Sequence, residues 1–398
     1  MKKYRHILTS PKGRKSVPQS TLPDGCDNPS LLLGGFNELG LRIASPSLRE
    51  GRGGLLSISV VIPNYNGKHL LEANLPSVYA ALKFAQLDFG EGSSSPSGRS
   101  GGASISYEVI VIDDASTDDS ILFIQQHYPD IKLLVNESNK GFSPTINKGI
   151  FAAKHELILA LNSDVQLTEN YFIDQLKYFD ASDTFGVMGE IVGLDGSGIQ
   201  DGAKYPQTGV KGIKTTFNYI PLIEAQEMWL PSFFLSGANA LMNREKLWQL
   251  GGFDEIYAPY YYEDADLGIR AWRVGWKCYF EPKSICMHAI SSTIGKLKSE
   301  KVKIIIERNR IILNHLHLMG VQLRFFKCWL WIRCFSKLIK GNFTIYKAIV
   351  LFRKELPLLE RSRKNILQLQ TKNNKNYTVY DTERFILKKI ESIKYRVF

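Results

Sequence analysis

Residues 58–63 read ISVVIP and residues 108–113 read EVIVID, and these runs decide the predicted fold. KLLVNE at 132–137 and ELILALN at 156–162 follow the same pattern. All four runs are apolar on both faces, which is typical of buried parallel strands. Because helical stretches separate them, the sequence predicts an α/β fold with a mostly parallel sheet flanked by helices.

The segments around this pattern differ in composition. Residues 1–56 are rich in Pro, Gly, Ser and Lys without a sustained period, which predicts a poorly ordered arm. Residues 87–104 are of low complexity and are interpreted as an insertion. The main domain is expected at 57–317, and a basic helical tail at 318–398.

The net charge of +11 is unevenly distributed along the chain. Residues 1–57 carry 9 Lys and Arg against 4 Asp and Glu, and residues 296–398 carry 24 against 7. The stretch 58–295 carries 17 against 28. An acidic centre does not suit nucleic acid, so no nucleic-acid partner is expected. The basic tail indicates an anionic membrane surface as a partner.

The tail is predicted to contain helices at about 299–318 and within 321–343. In the second helix, Arg333, Ser336, Lys337 and Lys340 recur at i, i+3, i+4 and i+7, which places them on one stripe. Two interpretations stay open. The helix lies in a membrane interface, or the tail helices cap the main domain.

Neither secretion nor a simple membrane span is indicated. The sequence contains no run of about 18 uncharged apolar residues. Its first 15 residues are polar where a signal peptide would need an apolar stretch. The five cysteines lack C-x-x-C spacing, so neither a disulfide framework nor a zinc site is indicated. A cytoplasmic protein is expected, either free or peripheral on the cytoplasmic membrane face.

Polar residues follow the predicted strands, and ligands of open α/β sheets bind beyond the carboxyl ends of the strands. Asp113 and Asp114 end the second strand. Two adjacent buried carboxylates are costly without a donor-rich partner, which favours a ligand role. Ser116 and Asp118 are equally well explained as helix N-caps.

Two further strand ends carry candidate ligands. The first strand runs into a turn containing Pro63 and Tyr65, which is able to present backbone groups to a ligand. The fourth ends in Asn162, Ser163 and Asp164. A carboxylate there suits a hard divalent cation that also binds a substrate phosphate. For Asn162 and Ser163, turn formation is the alternative.

The chain resembles the family 2 nucleotide-sugar glycosyltransferases, which have the GT-A fold with a Rossmann-like nucleotide-binding half. The resemblance covers about 58–317. It rests on seven ordered motifs: SVVIPNYNG from 59, VIDDASTDDS from 111, NKGFSPTINKGI from 139, LNSDV from 161, FLSGANALMNREKLWQLGGFDE from 234, YYYEDADLGIRAWRVGWK from 260 and RNRIILNHL from 308.

The resemblance implies a nucleotide-sugar site built from these motifs, with a metal ion beside it. The ion would be Mg²⁺ or Mn²⁺, held by Asp164 at the end of an N-S-D sequence that replaces the family's D-x-D, together with His288. Arg308 and Arg310 would meet phosphate, or pair with acids. The implied nucleotide-sugar residues are Pro63, Tyr65, Asp113, Asp114, Gly141, Asn147, Asn162, Ser163 and Gly237.

The acidic segment from Glu263 to Asp266 matches the family's E-D motif. The match implies that Asp264 is the catalytic base, with Glu263 beside it and Asp266 in support. Without the resemblance, these acids also suit the first turn of a helix, where negative charge is favourable. The preceding Tyr260–Tyr262 would raise the pKa of an acid by desolvation.

These expectations describe an inverting glycosyltransferase that moves a single sugar from a nucleotide-diphosphate sugar to a hydroxyl of a glycan or lipid-linked acceptor. Surface glycan or polysaccharide assembly is the expected setting. The Q-x-x-R-W motif of processive synthases is absent from the sequence. The alternative is a catalytically silent, membrane-associated protein that binds nucleotide sugars, because fold alone does not establish activity.

Overall fold

The computed structural model describes residues 56–90, 105–222, 229–288 and 299–398. Apart from Leu56, the predicted arm lies outside the described residues. So does most of the predicted insertion, although its first four residues belong to helix α1 (Lys68–Gly90).

The parallel half of the sheet contains four strands: β1 (Ser57–Asn64), β2 (Ser106–Asp113), β3 (Lys132–Val135) and β4 (Leu157–Leu161). Their order is β3-β2-β1-β4, and every neighbouring pair is parallel. The strand order reverses between β1 and β4, and such a reversal is where open α/β sheets bind ligands. The four predicted strands and their parallel arrangement are confirmed.

Both faces of this half are buried. Helices α2 (Ser120–His127) and α3 (Phe142–Ala152) follow β2 and β3. Along β1, Val61 packs in the core cluster that includes α3, whereas Val60 and Ile62 pack in the cluster that includes α1. Alternate strand residues point to opposite faces, which explains why β1 has no polar side.

The other half of the sheet is mixed. β11 (Asn239–Asn243) pairs antiparallel with β4 and with β6 (Thr184–Gly193), and β6 pairs in parallel with β12 (Lys277–His288). The remaining sheet strands are β5 (Val165–Leu167), β7 (Ile199–Asp201) and β10 (Leu230–Pro231).

Two helices lie between β11 and β12, α4 (Arg244–Gln249) and α5 (Glu263–Arg273). The C-terminal part contains α6 (Glu300–His317), α7 (Gly320–Ile339), α8 (Thr344–Lys354), α9 (Leu356–Lys372) and α10 (Val379–Ile390). Both predicted tail helices are therefore present, as α6 and α7.

The tail packs on the main domain. Its residues Phe326, Phe352, Ile366 and Ile386 belong to the same core cluster as Phe234. The last strand, β13 (Tyr395–Val397), pairs with β9 (Asn218–Pro221) in a small sheet that also contains β8 (Ala203–Lys204). The inner sides of the tail helices thus cap the domain.

The predicted basic stripe of α7 does not all face outward. Arg333 turns inward and forms an ion pair with Glu307 of α6. Lys337 is half-buried on the same side. Both residues face α6 because Glu307 attracts them. Among the described residues, no helix is long and apolar enough to cross a membrane.

Candidate active site

Asp113 ends β2 with its side chain fully buried and its oxygens occupied. Its Oδ2 accepts hydrogen bonds from Asn64 Nδ2 at 2.9 Å and from Ser116 Oγ at 2.6 Å, while its Oδ1 accepts from the Ser116 backbone N–H at 2.8 Å. The carboxylate therefore ties the end of β1 to the turn after β2. Its contact with a nucleotide stays a prediction.

Asp114 organises the turn before α3. Its Oδ1 accepts from Asn136 Nδ2 at 2.8 Å and from the Lys140 N–H at 2.9 Å, and its Oδ2 accepts from the Gly141 N–H at 2.9 Å. Gly141 has φ +84°, and a Cβ there would lie 2.6 Å from the Pro259 carbonyl oxygen. Only glycine fits this approach of α3 to the loop that precedes α5.

The turn after β1 is joined to the turn after β2. The Asn66 N–H donates to Ser116 Oγ at 2.8 Å, and Asn66 Oδ1 accepts from the Thr117 N–H at 2.7 Å. Pro63 is half-buried, and the ring of Tyr65 is 53% exposed beside them. An exposed aromatic ring on a rigid turn is available to a flat ligand such as a nucleobase.

Asn147 is buried in α3, where its amide bonds to the backbone of Phe253 in both directions, at 2.8 and 2.9 Å. This pairing fastens α3 to the loop after α4. The geometry gives Asn147 a positioning contact, and its direct contact with a nucleotide stays a prediction.

Asp164 and His288 lie together at the end of β4. β5 pairs antiparallel with β12, and Val165 is the register partner of His288. The pairing brings Asp164 Oδ2 to 3.1 Å from His288 Nε2. His288 Nδ1 lies 3.4 Å from Gln200 Oε1, and the hydrogen bond to Asp164 raises the pKa of His288.

This pair fits a divalent cation in part. One carboxylate oxygen and one imidazole nitrogen lie within reach of one ion, and their side chains are 15% and 21% exposed. The described residues contain no group of three His, Cys, Asp or Glu side chains suited to a metal ion. Two protein ligands suffice for Mg²⁺ when a substrate phosphate and water supply the rest.

A cleft of about 340 Å³ lies between the end of β4 and the start of α5. Asn162 lines it on the β4 side, and Glu263 and Asp264 line it on the α5 side. Gly237 lies between them, and a Cβ there would come within 3.4 Å of Phe142 and 3.7 Å of Asp264. The other lining residues are Ser236, Ala238, Tyr260, Tyr261 and Val302.

The two acids on α5 differ from those after β2. Glu263 is 8% exposed, and its Oε2 has no hydrogen-bond partner among the described residues. Burial, followed by the charge of Asp264, raises the pKa of Glu263 to about 8. Burial also raises the pKa of Asp264. Both shifts favour a protonated carboxyl group in this pair.

Two residues that the sequence reasoning missed flank Asp264. Lys204 and Asp201 form an ion pair where the chain passes from β7 to β8, and both side chains are largely buried. Lys204 favours the charged form of Asp264 and lowers its pKa, whereas Asp201 raises it. Their charges are close enough to Asp264 to tune when it ionises. No local motif pointed to them, because they lie far before the acid pair in the chain.

Asp266 lies behind the cleft. Its carboxylate, fully buried, is 2.6 Å from Arg270 Nε and 2.9 Å from His317 Nε2. Burial favours its protonated form, but Arg270 and His317 outweigh this and hold the pKa of Asp266 below its ordinary value. Asp266 thus anchors α5 to the end of α6.

Asn309 of α6 holds the backbone of the loop that carries the acids. Its Nδ2, fully buried, donates to the carbonyl oxygens of Tyr257, Tyr260 and Tyr261 at 2.8 to 2.9 Å. Tyr261 and Tyr262 both have φ +76°, an unfavourable conformation for large side chains. The sequence reasoning considered only the arginines on either side of this residue.

Those arginines pair within the protein. Arg308 donates to the Ala258 carbonyl oxygen and lies 3.6 Å from Glu355. Arg310 lies 3.7 Å from Glu307 and stacks on Trp329. Pairing with acids is therefore observed for both arginines, and their contact with phosphate stays a prediction.

Comparison with known proteins agrees with this geometry. The profile of glycosyl transferase family 2 matches residues 59–251. N-acetylglucosaminyl-diphospho-decaprenol L-rhamnosyltransferase of Mycobacterium tuberculosis is 28% identical over 213 residues, which are 47% of this chain and 68% of that protein. Poly-beta-1,6-N-acetyl-D-glucosamine synthase of Staphylococcus epidermidis is 22% identical over 209 residues, 49% of this chain and 46% of that protein.

Among solved structures, the crystal structure of GalNAc-T7 with UDP, GalNAc and Mn²⁺ is similar at a TM-score of 0.55 and 16% identity. The match covers 85% of this chain and 57% of that chain, so this chain spans little more than half of its length. At such identity the likeness concerns the fold alone, and the expected GT-A type is confirmed. The family 2 profile covers residues 59–251, just under half of this chain, and this match confirms the family resemblance that the motifs predicted.

Proposed function

We propose that this protein is an inverting glycosyltransferase that moves one sugar from a nucleotide-diphosphate sugar to a hydroxyl group. The observation that carries the proposal is the cleft in which Glu263 and Asp264 face the polar end of β4. The β4 side of the cleft is suited to a donor. The α5 side carries two acids, and Glu263 Oε2 has no hydrogen-bond partner among the described residues. A protein that only binds nucleotide sugars would not need the acids on the α5 side.

Asp264 is the proposed base. It accepts the proton of the acceptor hydroxyl while that oxygen forms its bond to the anomeric carbon. The bond from that carbon to the diphosphate breaks in the same displacement, and the electron pair leaves with the nucleoside diphosphate. General base catalysis of this kind contributes typically about 10² to 10⁴ in rate.

Glu263 has a different proposed role. With its pKa raised to about 8, it is protonated near neutral pH and able to donate a hydrogen bond. Its unpartnered Oε2 is the atom available for that bond. A neutral acid beside Asp264 also avoids placing two negative charges together, so Asp264 alone stays free to accept the proton.

Asp164 and His288 are the proposed holders of Mg²⁺ or Mn²⁺. When bound, the cation would offset negative charge on the departing diphosphate. Asn162 and Ser163 precede Asp164 on the same turn, and we assign them to the sugar and diphosphate side of the cleft. The GalNAc-T7 structure was solved with Mn²⁺, which is consistent with a divalent cation in a protein of this fold.

The acceptor is proposed to be a lipid-linked glycan used in surface glycan or polysaccharide assembly. Both curated relatives described above are named for glycan synthesis, and the mycobacterial one is named for a sugar on a decaprenyl diphosphate. The acceptor enters from the side of Tyr260 and Tyr261, whose rings lie 5.0 Å apart at the cleft. Aromatic faces suit the apolar faces of sugar rings.

The test is a panel of nucleotide sugars with Mg²⁺ or Mn²⁺, read by thermal shift and by release of nucleoside diphosphate. We expect one donor class to stabilise the protein and to be turned over, both effects being lost with chelator and in Asp164→Ala. Stabilisation without turnover across candidate acceptors would indicate the silent binding protein. Unchanged turnover in excess chelator would contradict the metal assignment.

A further inference from the structure

Helix α7 is apolar on two opposite sides. On its inner side, Phe326 and Cys334 are buried against the core. On the other side lie six large exposed residues that we call the outer face: Phe325 (52% exposed), Trp331 (76%), Ile332 (69%), Phe335 (67%), Leu338 (49%) and Ile339 (71%). Soluble monomers rarely expose so many large apolar side chains together.

The spacing of these residues makes the outer face continuous. Phe325, Ile332 and Ile339 are seven residues apart and form one stripe along the helix. Trp331, Phe335 and Leu338 stand at i, i+4 and i+7 and form the adjoining stripe. The outer face therefore runs along most of α7.

The charges around the outer face are all positive. From residue 318 to 354 the chain contains eight Lys and Arg and no Asp or Glu. Arg324, Lys327 and Lys340 are exposed. Lys327 and Lys340 lie beside the outer face, and Arg324 lies at its N-terminal end, in line with Trp331. A second copy of this chain would bring the same positive charge to the contact. Residues 1–57 have a net charge of +5 and would also be repelled.

We propose that the outer face lies in the interface of an anionic membrane, with α7 parallel to the membrane plane. An apolar face bordered by lysine and arginine is the composition of an interfacial helix. Exposed tryptophan and phenylalanine suit the headgroup boundary. The surface that the chain presents to lipid is thus this apolar face, and not the stripe that includes Arg333.

The position of α7 gives this contact a purpose, which rests on the proposed function. Arg333 bonds to Glu307, five residues along α6 from Val302, which lines the cleft. At about 1.5 Å per helical residue, these positions are about 8 Å apart along the helix. The C-terminal half of α7 therefore lies near the cleft, where a membrane would present a lipid-linked acceptor.

The test is co-sedimentation of the full chain with vesicles of equal parts phosphatidylglycerol and phosphatidylcholine. We expect Ile332→Ser combined with Phe335→Ser to weaken binding at least tenfold, with an unchanged thermal unfolding midpoint because both residues are exposed. The matched control is Leu87→Ser with Leu122→Ser, two helical positions that are 55% and 50% exposed in the parallel half. This control should bind like the unmodified protein.

Equal binding by the outer-face variant, or no binding of the unmodified protein to these vesicles, would overturn the proposal. A concentration-dependent dimer that the outer-face variant abolishes would also overturn it, because the face would then contact a second copy. Nucleotide-sugar thermal shift on the same proteins separates the two proposals. Vesicle binding without any donor binding would leave the membrane surface standing and remove the proposed function.

Discussion

The protein contains two pairs of adjacent acids, Asp113–Asp114 after β2 and Glu263–Asp264 at the start of α5. The side chains of the first pair receive six hydrogen bonds from neighbouring groups, three for each carboxylate. In the second pair, Glu263 Oε2 has no partner among the described residues, and the pKa of each acid is raised.

The difference shows what adjacent carboxylates do in this fold. A carboxylate that accepts several hydrogen bonds is stabilised in its charged form and shapes the backbone around it. A buried carboxylate with unused acceptor capacity is ready to exchange a proton with a ligand. Substitutions in the first pair should therefore cost stability, and substitutions in the second should cost activity.

The largest expected effect is that of Asp264→Asn. It should lower kcat about 10² to 10⁴-fold while donor affinity stays near that of the unmodified protein, because a base acts in the transition state. Glu263→Gln is the matched variant. Since it resembles the protonated acid, it should lower kcat by less than about tenfold at neutral pH. Steady-state kinetics with donor binding by calorimetry checks both, and the reverse order of effects would exchange the assigned roles.

Asp114→Asn should act on stability. The amide keeps one acceptor oxygen, but its NH₂ group faces donors at Lys140 or Gly141, so about 1 to 3 kcal/mol of unfolding free energy should be lost. Urea unfolding measures this loss. Asp264→Asn should not lower the free energy of unfolding. That change removes the repulsion between two neighbouring acids. Equal destabilisation by the two variants would remove the distinction between the pairs.

Asn309→Leu tests how the second pair is positioned. Losing the hydrogen bonds to the loop carbonyls should destabilise the protein by about 1 to 3 kcal/mol and lower kcat about tenfold. Asn314→Leu is the control, because Asn314 is equally buried on α6 but bonds to Ile213 instead. The control should lose similar stability and keep its kcat. If both variants lose kcat alike, Asn309 has no special role in positioning.

The smallest expected effect concerns pH. Asp264 must be ionised to act, and its pKa is raised, so kcat/KM should fall as pH decreases through that raised pKa. Lys204 opposes the rise, so Lys204→Met should move the acid limb of the profile to higher pH. The double variant Asp201→Asn with Lys204→Met should move the acid limb less than Lys204→Met alone. The reason is that the charge of Asp201 raises the pKa of Asp264. An unchanged profile in Lys204→Met would show that Lys204 does not tune the base.

The parallel half was predictable from sequence, and the mixed half much less so. β1 and β4 are apolar on both faces because helices cover both sides, and that composition is visible locally. β11 reads NALMN, too short and too polar at its ends to indicate a strand, although it is buried between β4 and β6. Its assignment depends on neighbours far away in the chain.

The site shows the same division. The acids at strand and helix ends were found because strand ends and the E-D motif are local features. Asn309, Lys204 and Asp201 were missed because their contacts with the acid loop span 48 or more residues. The inward turn of Arg333 was missed for a similar reason, since its partner Glu307 lies on another helix.

The most direct test of the central claim is the anomeric configuration of the transferred sugar, read by proton NMR. The donor is the nucleotide sugar found in the panel, and the product spectrum is recorded early in the reaction. A single displacement with Asp264 as base predicts a configuration opposite to that of the donor. Retention of the donor's configuration would contradict the account, because it requires a second displacement or front-side attack that the proposed role of Asp264 does not provide.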